Sequence, residues 1–90
     1  LISVLSNIAP KFTCNMVHDF LNGNIDKATS AQLRSIDLIN SLFCEVNPIP
    51  VKAALNMIGY NFGSPRLPLI DISEKGKQRL KKSLENFNLL

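Results

Sequence analysis

Apolar residues divide the chain into one short continuous run and four stretches with helical spacing. Leu1-Ile2-Ser3-Val4-Leu5-Ser6 is nearly unbroken in its hydrophobicity. This is the pattern of a strand buried on both faces, as in a parallel sheet. No other segment reads as its partner, and an unpaired strand leaves its ladder donors and acceptors unsatisfied. The partners are therefore expected in another chain or upstream of Leu1, where the missing initiator Met also suggests further residues. After the turn Asn7-Ile8-Ala9-Pro10, a first helix is predicted from roughly Pro10 to Asn22. Its stripe is Phe12, Met16, Val17, Phe20 and Leu21, and Gly23 closes it. Asn24 is placed to cap a long second helix from about Ile25 to Phe43, with the stripe Ile25, Ala28, Leu33, Ile36, Ile39, Leu42 and Phe43. So short a connection makes the two helices antiparallel neighbours.

The middle of the chain turns on Asn47-Pro48-Ile49-Pro50-Val51-Lys52. Two prolines at alternate positions remove two backbone donors and restrict two φ angles. Asn47 as N-cap and Pro48 as first helical residue would launch a third helix along Val51–Ile58, stopping at Gly59. Tyr60–Ile72, with Gly63, Pro65 and Pro68, is expected to run irregularly over the helices with Leu67, Leu69 and Ile70 tucked inward. Ser73 then caps a fourth helix with Glu74 in its first turn, and Leu80, Leu84 and Phe87 form its apolar face. Leu89-Leu90 is expected to dock the tail.

Ninety residues suffice for one small domain. A hydrophobic share of 46% is too high for a disordered tail. No apolar run approaches the ~20 residues that span a bilayer. The opening run is too short for a secretory signal and has no basic residue ahead of it. Cys14 and Cys44 are too few for a disulfide scaffold, so a reducing cytoplasm is the expected compartment. The net charge of +3 is localised. Arg66–Glu85 holds six basic and three acidic residues, while the first 65 residues hold four of each sign. An isolated chain with an unpaired apolar strand is expected to be marginal or to associate.

Three groups invite a chemical reading. Cys14 and His18 share a helix face at i,i+4, near Asp19. Zinc needs three or four ligands, and no second His or Cys-x-x-Cys completes a set. As nucleophile and base, the pair lacks an orienting group and an oxyanion hole. A packed Cys and an ordinary surface His is the simpler state. Lys52 could form a Schiff base if buried, but nothing nearby forces its burial, and an extension to solvent or to Glu45 is preferred. Lys75-x-Lys77-x-Arg79-x-Lys81-Lys82 could attract phosphates, which raises a basic helical nucleic-acid-binding module as an alternative. It has no interleaved aromatic and is flanked by Glu74 and Glu85, so a solvated helix face is favoured and no nucleic acid is expected.

Glu45-Val46-Asn47-Pro48-Ile49-Pro50-Val51-Lys52-Ala53-Ala54-Leu55, followed by Arg66-Leu67-Pro68-Leu69, closely resembles the C-terminal region of the dihydrodipicolinate synthase family. Ile2-Ser3-Val4, with Asn7 shortly after, resembles that family's last barrel strand. The spacings and the terminal Leu-Leu extend the resemblance over essentially the whole chain. It implies the C-terminal part of an α/β TIM (β/α)8 barrel with its helical C-terminal domain: mostly α here, one short N-terminal strand plus about four helices. Residues 1–22 would supply the last strand and helix of the barrel, and 23–90 the helical domain.

The resemblance implies condensation of pyruvate with aspartate semialdehyde, through a Schiff base on a barrel lysine, in lysine and diaminopimelate biosynthesis. It implies no cofactor, a full-length homotetramer, and no role for membrane or nucleic acid. The Schiff-base lysine, proton-relaying tyrosine, pyruvate-holding threonine and second-substrate arginine of the family lie upstream, and Lys52 does not match the catalytic lysine. No catalytic residue is thus expected in this segment, which alone would be inactive. One position carries over: Ile2 matches the residue whose main-chain carbonyl faces the pyruvate-binding lysine. Ser3 adjoins it without a role. Leu5 departs from a smaller or polar residue common on that strand, with an expected effect on packing at the barrel mouth, and Val46 departs at the corner. Another pyruvate-dependent lyase, such as N-acetylneuraminate lyase, shares the implied fold and is the alternative within it.

Overall fold

The computed structural model describes residues 1–90. A 3-10 turn at Leu5–Asn7 precedes α1 (Pro10–Leu21), α2 (Ile25–Leu42), α3 (Ile49–Met57) and α4 (Glu74–Asn86). The mostly helical reading holds, with the four helices in the predicted order. The strand does not form. Leu1–Ser3 is irregular, and the chain contains no second strand to complete a ladder. Local polar bonds take over instead: Ser6 N–H donates to Ser3 Oγ at 3.1 Å, Ser6 Oγ to Ser3 O at 2.8 Å, and Asn7 Nδ2 to Val4 O at 3.1 Å. Side chains of this kind compete with regular structure by bonding neighbouring backbone. Leu5, which the resemblance puts at the barrel mouth, is here 4% exposed and enters the helical core with Ile8 and Ala9.

That core joins Leu5, Ile8 and Ala9 to Leu38 and Leu42 of α2, Val51 and Ala54 of α3, and Leu80, Leu84 and Phe87 at α4. Burying such a side chain stabilises by about 1.5–3 kcal/mol each, before the entropy of ordering is counted. The face predicted for α4 is therefore the observed one. Ser73 Oγ accepts from Gly76 N–H at 3.1 Å, as its capping role requires.

The predicted stripe of α2 is only partly right. Its buried positions are Ala28, Ser35, Leu38, Ser41 and Leu42, whereas Ile25, Leu33, Ile36 and Phe43 are exposed. Ser35 Oγ donates to Gln32 O at 2.8 Å and Ser41 Oγ to Asp37 O at 3.1 Å. Ser41 and Ser83 also hydrogen-bond across the α2–α4 contact. Hydroxyls satisfied in this way bury cheaply and let two helices approach closely.

Along α1, Phe12 meets Phe87 edge to face at 4.8 Å, and the Arg34 guanidinium lies 4.9 Å from the Phe87 ring centre. Thr13 is buried, its hydroxyl bonded to Ala9 O at 2.9 Å. Phe20 and Leu21, at the end of the predicted stripe, are exposed. Gly23, at φ +83°, makes the turn into α2.

The proline corner begins its helix one residue later than predicted at the cap. Pro48 is the N-cap, because its carbonyl accepts the first helical bond from Lys52 N–H at 3.1 Å. Asn47 makes no side-chain cap, and Pro48 has φ −99°, away from the usual proline value. Both Asn47–Pro48 and Leu67–Pro68 are cis. Pro50 falls in the first turn as expected, and α3 ends before Gly59. In the irregular segment, Leu69 is half-buried, but Leu67 and Ile70 are 86% and 70% exposed. The preceding loop is held by Asn56, which accepts from Phe62 N–H at 2.9 Å and donates to Gly63 O at 3.0 Å. Leu89 packs against the core, while Leu90 stays exposed.

Candidate functional site

Ile2 lies on the irregular N-terminal segment and is fully exposed, next to a largely exposed Leu1. Leu1 and Ser3 line a shallow cleft with Cys14, Val17 and His18 of α1. The residues on either side of Ile2 thus reach the Cys14–His18 pair, while Ile2 itself does not line the cleft. Cys14 Sγ and His18 Nε2 are 3.9 Å apart on an exposed face. No three His, Cys, Asp or Glu side chains converge closely enough to hold a metal ion.

Lys52 is half-buried. Its Nζ donates to Ser64 O at 3.3 Å rather than pairing with Glu45. Glu45 is engaged elsewhere, at the start of α4. Its Oε1 accepts from Ser73 N–H at 3.1 Å, and its Oε2 accepts from Ser73 Oγ. A carboxylate there is favoured by the free amides and the positive end of the helix dipole. Gly76 is buried against this arrangement, and a Cβ on it would collide with the Glu45 carboxylate and stand 3.0 Å from Ile72 Cγ1. Sequence reading did not find this lock. Its one signal was a glycine inside a helix, three residues after a capping serine.

The basic residues of α4 do not form one stripe. Gly76, Leu80, Ser83, Leu84 and Phe87 take the buried face. Arg79 borders Glu45 and Ser73 on one side, while Lys77 lines a cavity with Asp71 and Glu74 on the other. Split between two flanks with acids nearby, these charges make a solvated helix rather than a phosphate track.

An open apolar groove lies between α1 and α2. Met16, Val17, Phe20, Leu21, Ile25 and Leu33 line a groove of about 390 Å³. These are residues that the helical periodicity predicted for a core, presented here on the surface. No helix is long and apolar enough to cross a membrane.

A run of exposed apolar helix faces beside a lone, unpaired N-terminal segment is the form of a piece cut from a larger α/β fold. Comparison with known proteins gives the same answer. The chain belongs to the dihydrodipicolinate synthetase family, whose sequence profile matches residues 1–87. It is 52% identical over 88 residues to a 4-hydroxy-tetrahydrodipicolinate synthase of Caldicellulosiruptor bescii, covering 98% of this chain and 30% of that protein. Among solved structures, the dihydrodipicolinate synthase of Thermotoga maritima superposes with a TM-score of 0.96 at 41% identity, over 100% of this chain and 30% of that one. The chloride-inhibited enzyme of Acinetobacter baumannii complexed with pyruvate gives 0.91 at 36% identity, over 99% and 31%. The chain spans about 30% of the length of the relatives it matches and corresponds to the C-terminal helical segment of their fold.

Proposed function

We propose that this chain is the C-terminal part of a 4-hydroxy-tetrahydrodipicolinate synthase, which condenses pyruvate with L-aspartate 4-semialdehyde through a lysine Schiff base in lysine and diaminopimelate biosynthesis. The observation that carries the reading is the family match over residues 1–87, with about half of the residues identical to a named synthase. Residues 1–22 act as the last strand and helix of the barrel, and 23–90 as the helical domain that buttresses it. In the barrel, Leu1–Ser6 gains the ladder partners it lacks here, and the Ile2 main-chain carbonyl faces the pyruvate-bearing lysine. The α1–α2 groove is covered by the rest of the barrel. Chemistry resides in the preceding part, so the segment alone is inactive, and the working enzyme is a cytoplasmic homotetramer without a cofactor.

Two measurements test this. Incubating the chain with pyruvate and borohydride should leave its mass unchanged, because on this reading the Schiff-base lysine lies in the preceding part and Lys52 only bonds Ser64 O. A stoichiometric reduced adduct on Lys52 would place the Schiff base in this segment and refute the assignment. Grafting the chain in place of the matching segment of the Caldicellulosiruptor bescii enzyme should give a soluble synthase that forms the pyruvate adduct on its own barrel lysine. A soluble chimera that binds no pyruvate contradicts the reading.

A further inference from the structure

An open side runs along the first third of the chain. Met16, Val17, Phe20, Leu21, Ile25 and Leu33 line the α1–α2 groove, and no charged residue lines it. Val17 also lines the cleft that Leu1 and Ser3 share with α1, so the groove runs on into the N-terminal segment. There the backbone is open as well. The N–H groups of Ile2, Ser3 and Val4 have no acceptor in the chain, the condition of a strand edge without a neighbour. The α2–α4 side is closed by contrast. Leu42, Leu80 and Leu84 are fully covered, and every buried side-chain polar atom has a partner.

An apolar groove and an unpaired edge on one side call for an occupant that offers apolar side chains and a strand edge together. A second copy of this chain offers a groove but no regular strand. A (β/α)8 barrel without its last strand and helix offers both, because its sheet is left open beside helices whose apolar faces are uncovered. The Thermotoga maritima enzyme is matched over the whole of this chain at a TM-score of 0.96, so the free side already has the shape it takes inside a complete fold.

We infer that this side is a preformed docking surface for the barrel of a synthase lacking its own last strand and helical domain, and that the chain joins it without a covalent link. This docking rests on the reading above, that the chain is the C-terminal part of a synthase. It adds that a continuous backbone between the two parts is dispensable. Separation removes only the effective concentration that the backbone supplies, while the groove and the edge remain in place.

The test brings the two parts together. The Caldicellulosiruptor bescii synthase, cut back by the 30% that this chain matches, is expressed with and without the 90-residue chain. The two should copurify one to one, and the pair should form the borohydride-reducible pyruvate adduct that the truncated synthase alone does not form. Raised NaCl should leave the pair intact, since no charge lines the groove. Phe20→Lys should lower the affinity at least about tenfold, whereas Lys82→Gln on α4 should not change it. Phe20 is exposed, and a cation suits the last turn of α1, so the variant chain keeps its fold. A truncated synthase that stays insoluble or elutes alone beside the chain overturns the docking. So does a chain that pairs only with itself, a copurifying pair that forms no adduct, or a pair that Phe20→Lys leaves intact. The grafted enzyme separates the two proposals: a working graft beside a failed pair overturns the docking alone, and a failed graft overturns the reading beneath it.

Discussion

The α2–α3–α4 end and the α1–α2 hairpin tip are built from similar residues and end in opposite states. At the first, Leu38, Leu42, Ala54, Leu80 and Leu84 are at most 1% exposed. At the second, Phe20, Leu21, Ile25 and Leu33 are 49–72% exposed around an open groove. Hydrophobicity alone therefore does not say which surface is satisfied within the chain. On the proposed reading, the first region is complete in itself and the second is one half of an interface with the barrel. Contiguous exposed apolar surface of this kind marks a contact still to be made.

The contrast is open to direct attack. Leu84→Ala should cost about 2–5 kcal/mol in urea unfolding, because nothing at the centre of the closed region is free to collapse into the void. A loss below about 1 kcal/mol would mean that the core is not tightly formed. Gly76→Ala should displace the Glu45 carboxylate from Ser73 and change stability by no more than about 1 kcal/mol, because the helix gains about 1 kcal/mol over glycine against the lost bonds. Combining it with Glu45→Ala should cost less than the two single changes summed, and strict additivity would argue that the two residues do not touch. Phe20→Ser should alter the stability of the monomeric chain by no more than about 0.5 kcal/mol while reducing its self-association in ultracentrifugation. A large destabilisation by Phe20→Ser would show that the hairpin tip is already packed and erase the distinction between the two regions.

How far the sequence could be read follows the same division. α4 was legible because Leu80, Leu84 and Phe87 repeat at helical spacing behind a capping serine, and both signals are satisfied within the chain. α2 was misread because its inward face uses Ser35 and Ser41, which count as polar until their hydroxyls are seen bonded to Gln32 and Asp37. Leu33 and Ile36 then drew the stripe away from Leu38. The Leu1–Ser6 run carries a strand pattern whose fulfilment depends on partners outside this chain. Ile2 could be singled out only through resemblance, since a backbone carbonyl leaves no mark on side-chain identity. The Glu45–Ser73–Gly76 lock joins residues far apart in the chain and could not be read from local spacing.

The buried Ser41–Ser83 bond has a consequence for alignment more than for strength. Beside it, Leu38 and Leu42 of α2 and Leu80 and Leu84 of α4 share the apolar core, which sets no polar register of its own. If α4 moved by one turn, about 5.4 Å along its axis, the two hydroxyls would no longer meet. Ser41 would keep its bond to Asp37 O, but Ser83 would become a buried hydroxyl without its partner, a penalty of about 1–3 kcal/mol. The serine pair thus acts as a registration pin, permitting one setting of α4 against α2 and with it one position for Ser73, Glu45 and the corner they hold.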